Sequence, residues 1–117
     1  MFQVAVAGPA ALLVAKVHRI AERVGVPDRL VHKDALDILR LLRAVPTDRL
    51  AMGLARLRTT EVSQTVTTEA IELGRELLAD TSAAGVAMAV RAAGPAEDGE
   101  AIAGSVVALW GDLVRAL

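Results

Sequence analysis

The sequence predicts an all-α fold, a single compact bundle of five to six helices formed by one domain over residues 1–117. Three observations carry this. Apolar residues make up 54% of the chain but aromatics only 2%, and strands draw on aromatic and β-branched residues that alanine and leucine do not replace. Apolar positions recur every three to four residues along most of the length. A length of 117 residues suits one hydrophobic core. The same composition excludes a disordered chain, which needs low hydrophobicity and high net charge. The lack of cysteine excludes a disulfide framework and a thiolate metal site.

Each element has its own signal. Val4-Ala5-Val6-Ala7 reads as a short N-terminal extended segment that ends at Gly8-Pro9. Pro9 suits the first position of a helix, where its missing N–H costs nothing. Leu13, Val17, Ile20 and Val24 then follow one helical face, and Gly25-Val26-Pro27-Asp28 closes it. A second helix is expected from Lys33 to Ala44, with Ile38, Leu41, Leu42 and Val45 on one side. Pro46 stops it, and Thr47-Asp48 is the expected N-cap of a third helix carrying Leu50, Leu54 and Leu57. After a break at Thr59-Thr60, a fourth helix places Val62, Val66, Ala70, Leu73 and Leu77 on one face and Glu69, Glu72 and Glu76 elsewhere. Asp80-Thr81-Ser82 is a loop and candidate cap for a short alanine-rich segment through Val86, Met88 and Val90. Residues 94–99 form the clearest loop. The last helix aligns Ile102, Val106, Leu109, Leu113 and Leu117, with Trp110 at the edge.

The longest apolar run, Val4 to Ala15, is broken by Gly8-Pro9 and stops at Lys16, short of the ~20 residues a membrane helix needs. No positive residue precedes it, so it does not fit a secretory signal. A cytoplasmic protein is expected. Many small side chains bury little area at ~25 cal/mol per Å², which makes a homodimer or a protein partner the expected state.

Charge is unevenly placed. Ten of the thirteen basic residues lie between Lys16 and Arg58 against five acids, giving about +5, while the rest of the chain carries about −6. On the first helix Lys16 and Arg23, seven residues apart, are nearly eclipsed and flank the apolar stripe. On the second, Asp34 falls within the apolar arc and Asp37 at its border. A carboxylate on a buried face must be paired, hydrogen-bonded or protonated. Three roles are open to Asp34: a first-turn acid among unsatisfied N–H groups, a structural ion pair with Lys16 or Arg23, or part of a polar site shared with a ligand.

These residues also carry a resemblance. Lys16-Val17-His18-Arg19-Ile20-Ala21-Glu22-Arg23, followed by Lys33-Asp34-Ala35-Leu36-Asp37-Ile38, is similar to the paired later motifs of AbiEii-type nucleotidyltransferases of abortive-infection and toxin–antitoxin systems. Those motifs read as a Lys with an Arg seven residues on, then Arg-Asp-x-x-Asp-Leu. The similarity covers about Gly8 to Arg43; Lys33 replaces the usual Arg, and Ala35-Leu36 lacks the common aromatic. It implies active-site positions at Lys16 and Asp34, with Arg23 and Asp37 accompanying them. The family's glycine-rich nucleotide loop and its two metal-binding aspartates, one residue apart, have no counterpart here. The resemblance therefore implies the helical C-terminal half alone, not catalytic by itself, with Mg²⁺ and a nucleoside triphosphate entering only beside a separate catalytic partner. No cofactor or metal is expected for the chain alone.

Other chemistry is thinly supported. His18 and His32, fourteen residues apart without cysteine, make a poor zinc pattern, and Glu97, Asp98 and Glu100 lie on a loop with no phosphate cradle. The short link between the second and third helices allows a helix-turn-helix, with Arg49, Arg56 and Arg58 as nucleic-acid contacts. Gly53 between those arginines and the net charge of −1 weigh against it.

Overall fold

Six α-helices follow one another in the computed structural model, which describes residues 8–117 apart from the side chain of Arg29. They are α1 Pro9–Glu22, α2 Lys33–Ala44, α3 Thr47–Thr59, α4 Gln64–Leu77, α5 Ala84–Ala93 and α6 Gly99–Arg115. There is no strand among the described residues, so the all-α expectation holds. The expected extended segment at Val4–Ala7 lies outside them. Among the described residues no helix is long and apolar enough to cross a membrane.

The breaks between helices have local causes. Gly25 adopts a φ of +89°, which an L side chain resists, and turns the chain away from α1. A 3₁₀ turn, Arg29–His32, then leads into α2, with the Asp28 carboxylate accepting the Leu30 N–H at 2.9 Å. Val45 is extended ahead of Pro46, as the residue before a proline must be, and α2 ends there. Gly94, also at φ +89°, terminates α5. Asp98 caps α6 by accepting the N–H groups of Glu100 and Ala101 at 3.0 and 3.2 Å.

Two expected caps do not form. α3 starts from Pro46 with no side-chain cap, and the Asp48 carboxylate instead accepts the adjacent Arg49 N–H. Asp80 closes its own turn by accepting the backbone N–H and the hydroxyl of Ser82, leaving Ala83 to precede α5 uncapped. In both places a short acidic side chain finds a nearer donor than the helix end offers.

α1 is the central element. It packs against α2, α3 and α4, while α5 lies on α2 and α6, and α6 also meets α2 and α3. The buried face of α1 is Ala10, Leu13, Val14, Val17 and Ile20, and α2 answers it with Ala35, Ile38, Leu39 and Leu42. The buried face of α4 is rotated from the expected one. Thr67, Ala70, Ile71 and Gly74 face inward, while Val66 is exposed and Val62 sits in the preceding turn at 93% exposure. The reason is Trp110, which lies on the buried face of α6 and not at the edge of it. A Cβ on Gly74 would lie 2.0 Å from Cζ2 of that ring, so the indole occupies the space that a side chain on α4 would fill.

Gly74→Ala is therefore expected to destabilise the fold by about 1–3 kcal/mol through overpacking, although alanine is the better helix former by ~1 kcal/mol. Urea unfolding followed by fluorescence of Trp110, the single tryptophan, measures it. Equal or greater stability would mean that ring and helix separate without cost.

Candidate functional site: the charged seam between α1 and α2

Lys16, Arg19 and Arg23 share one stripe of α1 because three- and four-residue steps return to the same side of a helix. Asp34 and Asp37 are three apart on the first turns of α2, which pair them in the same way. The packing of α1 on α2 brings the two stripes together. Lys16 Nζ donates to Asp34 Oδ1 at 2.6 Å and to Asp37 Oδ2 at 3.1 Å. Arg23 Nη1 donates to Asp34 Oδ2 at 3.1 Å, and Arg19 Nε stands 3.9 Å from the same oxygen. Arg40 Nη1 donates to Asp37 Oδ1 at 3.2 Å.

Burial is graded across this cluster. The Asp34 side chain is 9% exposed and that of Lys16 20%, whereas Arg19 and Arg40 project largely into solvent. Asp34 also lies in the first turn of α2, where unsatisfied N–H groups favour negative charge. Two of the three roles open to it thus hold together: it is both a first-turn acid and an ion-pair partner. The Asp34 carboxylate holds the Lys16 ammonium above the ordinary lysine value of 10.5, against the opposing pull of burial, and Asp37 adds to the effect.

All four positions carried by the family resemblance, Lys16, Arg23, Asp34 and Asp37, are therefore brought together. Arg19 and Arg40 join them and were not singled out from the sequence. Their signal was present in the i, i+3 spacing from Lys16 and Asp37. The three nucleic-acid candidates lie elsewhere, on α3. Arg49 and Arg56 are exposed and Arg58 is half-buried. α3 packs chiefly on α1, α4 and α6, not on α2, which is not the mutual packing of a helix-turn-helix pair. Arg49 and Arg56 flank a groove of about 620 Å³ between the start of α1 and α3, floored by Ala10, Gly53 and Leu57.

The histidines are engaged separately. A ring nitrogen of His18 bonds the carbonyl of Val66 on α4 at 2.8 Å. His32 is fully buried; its Nε2–H donates to the Val26 carbonyl at 2.5 Å, and Nδ1 accepts from Arg91 Nε at 3.3 Å. It ties α5 to the turn before α2. The acids of the 94–99 loop are not gathered either, since Asp98 is the α6 cap. Among the described residues no three His, Asp or Glu side chains are grouped to hold a metal.

The chemical capacity of the seam follows from its bonds. Every oxygen of the two carboxylates is paired with a cation of the seam, Lys16, Arg23 or Arg40. The raised lysine stays an ammonium and offers no lone pair as a nucleophile. Four cations against two carboxylates leave a surplus of positive charge on the outer rim. Comparison with protein-family models, with curated proteins and with solved structures gives no match.

A double-mutant cycle on Lys16→Met and Asp34→Leu is expected to show about 1–3 kcal/mol of favourable coupling at neutral pH, above the value for exposed pairs. Because folding raises the lysine value, that coupling is present in full below 10.5 and declines as pH climbs through the higher folded value. Repeating the cycle near pH ~11 measures the decline. Coupling near zero at neutral pH would mean that the seam does not hold the helices together.

Proposed function

We propose that this chain is a non-catalytic helical docking domain that engages an acidic protein surface through the cationic rim of the α1–α2 seam. The observation that carries the proposal is the saturation of Asp34 and Asp37 by Lys16, Arg23 and Arg40. A centre built for proton transfer or metal-assisted phosphoryl transfer turns its carboxylates toward the substrate or metal, whereas the four oxygens here meet the seam's own cations. What it offers outward is guanidinium. Arg19 and Arg40 have most of their donors in solvent, and a planar guanidinium is suited to bidentate pairing with carboxylates.

In the nucleotidyltransferase-like form of this proposal the partner is a separate catalytic half. It supplies the glycine-rich loop, the paired aspartates and the Mg²⁺, and Lys16 and Asp34 form the wall against which it docks. The fit between the family's paired motif and a seam that assembles Lys16, Arg23, Asp34 and Asp37 supports that form. Interaction is then the work of this domain, and chemistry belongs to the partner.

An oligo-glutamate peptide serves as a probe of the rim. It is expected to bind the wild-type chain in calorimetry with salt-sensitive affinity and to lose roughly 3–10-fold in the Arg19→Ala/Arg40→Ala variant, at up to ~1 kcal/mol per exposed charge. The chain alone, given Mg²⁺ and labelled nucleoside triphosphate, is expected to transfer no label to protein or RNA. Peptide affinity unchanged by the double substitution, or transfer abolished by Lys16→Ala, would overturn the proposal.

A further inference from the structure

The groove between the start of α1 and α3 shares no lining residue with the α1–α2 seam. It holds about 620 Å³, within the range of small-molecule sites. Arg49, Gly53, Arg56 and Thr60 follow one another at three- and four-residue steps, so a single stripe of α3 forms one side of it. Gly53 lets that stripe approach α1, since a Cβ there would stand 2.6 Å from the Cβ of Ala10. The charge of the groove is of one sign. Arg49 and Arg56 are exposed, and neither guanidinium has a hydrogen bond or ion pair among the described residues. No described lining residue is acidic, and the carboxylate of Asp48, next in the chain, accepts the Arg49 N–H. α1 begins at the same groove with no side-chain cap, and the N–H groups of a first helical turn favour an anion.

We propose that this groove binds a small aliphatic carboxylate, its head held by Arg49 and Arg56 and its body laid on the apolar lining. A guanidinium pairs with a carboxylate through two parallel N–H bonds, and the stem of each arginine can pack along the chain of the ligand. The remaining lining decides the chemistry of the body. Thr60 and Ser63 already donate their hydroxyl protons to the carbonyls of Arg56 and Leu57, at 2.7 and 2.6 Å. Ala10, Gly53, Leu57 and Val62 offer no side-chain donor or acceptor at all. A peptide or a nucleobase laid there would leave its own polar groups unmatched, whereas a hydrocarbon body has none to match. Val62 is 93% exposed at the edge of the groove, so covering it removes apolar surface from water.

Titration of the full chain with decanoate, followed by ¹H–¹⁵N NMR, tests it. Saturable shifts are expected at Gly53, Leu57, Val62 and Ser63. Acetate, a head without a body, and decanol, a body without a head, are each expected to bind about tenfold or more weakly. Arg49→Gln/Arg56→Gln is expected to keep the wild-type circular dichroism and to lose roughly 5–30-fold in decanoate affinity. Val62→Asp, at an exposed position, is expected to lose roughly 3–10-fold for decanoate with no change for acetate. No saturable shift at millimolar decanoate, shifts scattered over exposed apolar residues elsewhere, decanol bound as well as decanoate, or affinity unchanged in the arginine variant would each overturn the proposal. So would a chain that ignores decanoate but binds duplex DNA with a salt-sensitive affinity that the arginine variant loses, which would assign Arg49 and Arg56 to nucleic acid.

Discussion

The fold depends on how one buried carboxylate is compensated. Asp34 sits on the apolar face of α2, where an unpaired charge would carry a desolvation penalty of several kcal/mol. Lys16 and Arg23 reach it from α1, Arg19 stands nearby, and the start of α2 contributes its own field. These partners require α1 to lie along α2 at one register, since a shift of one residue would carry the cations off the stripe. The placement of the central helix follows, and with it the sides on which α3 and α4 can pack.

The seam gathers residue types that also serve in active sites. A lysine and two aspartates at close range are the usual parts of acid–base or phosphoryl-transfer machinery. Here each oxygen already has its cation, and the lysine is held more firmly protonated by its neighbours. Satisfaction of this kind favours a structural clasp with a charged rim, and the rim is where recognition by another molecule can act.

Much of this was legible in the sequence, and the parts that were not share a cause. α2 is found at the expected Lys33–Ala44, and an ion pair of Asp34 with Lys16 or Arg23 was one of the three roles that apolar periodicity and the cost of burying a charge left open. The face of α4 was legible only in part: Ala70 is buried and Leu73 and Leu77 pack against the core as expected, but Val62 and Val66 are exposed. Periodicity of Val62, Val66, Leu73 and Leu77 is a strong local signal, but Gly74 receives Trp110 from a helix 36 residues later in the chain. Glycine carries no hydrophobic mark, so the contact that orients α4 is invisible to a pattern of apolar side chains. The missing caps of α3 and α5 failed for a related reason, because Asp48 and Asp80 had donors closer at hand than the helix ends. The tie between His32 and Arg91 joins residues with no periodic relation at all.

The central claim, that Lys16 is fixed between Asp34 and Asp37 as a structural ion pair, is open to direct observation by ¹⁵N NMR of the lysine side-chain ammonium. A Lys16 Nζ resonance that is slow to exchange with water, with scalar coupling across its hydrogen bonds to the carboxylate carbons of Asp34 and Asp37, is the predicted result. A rapidly exchanging Nζ with no such coupling, indistinguishable from that of the exposed Lys33, would contradict it.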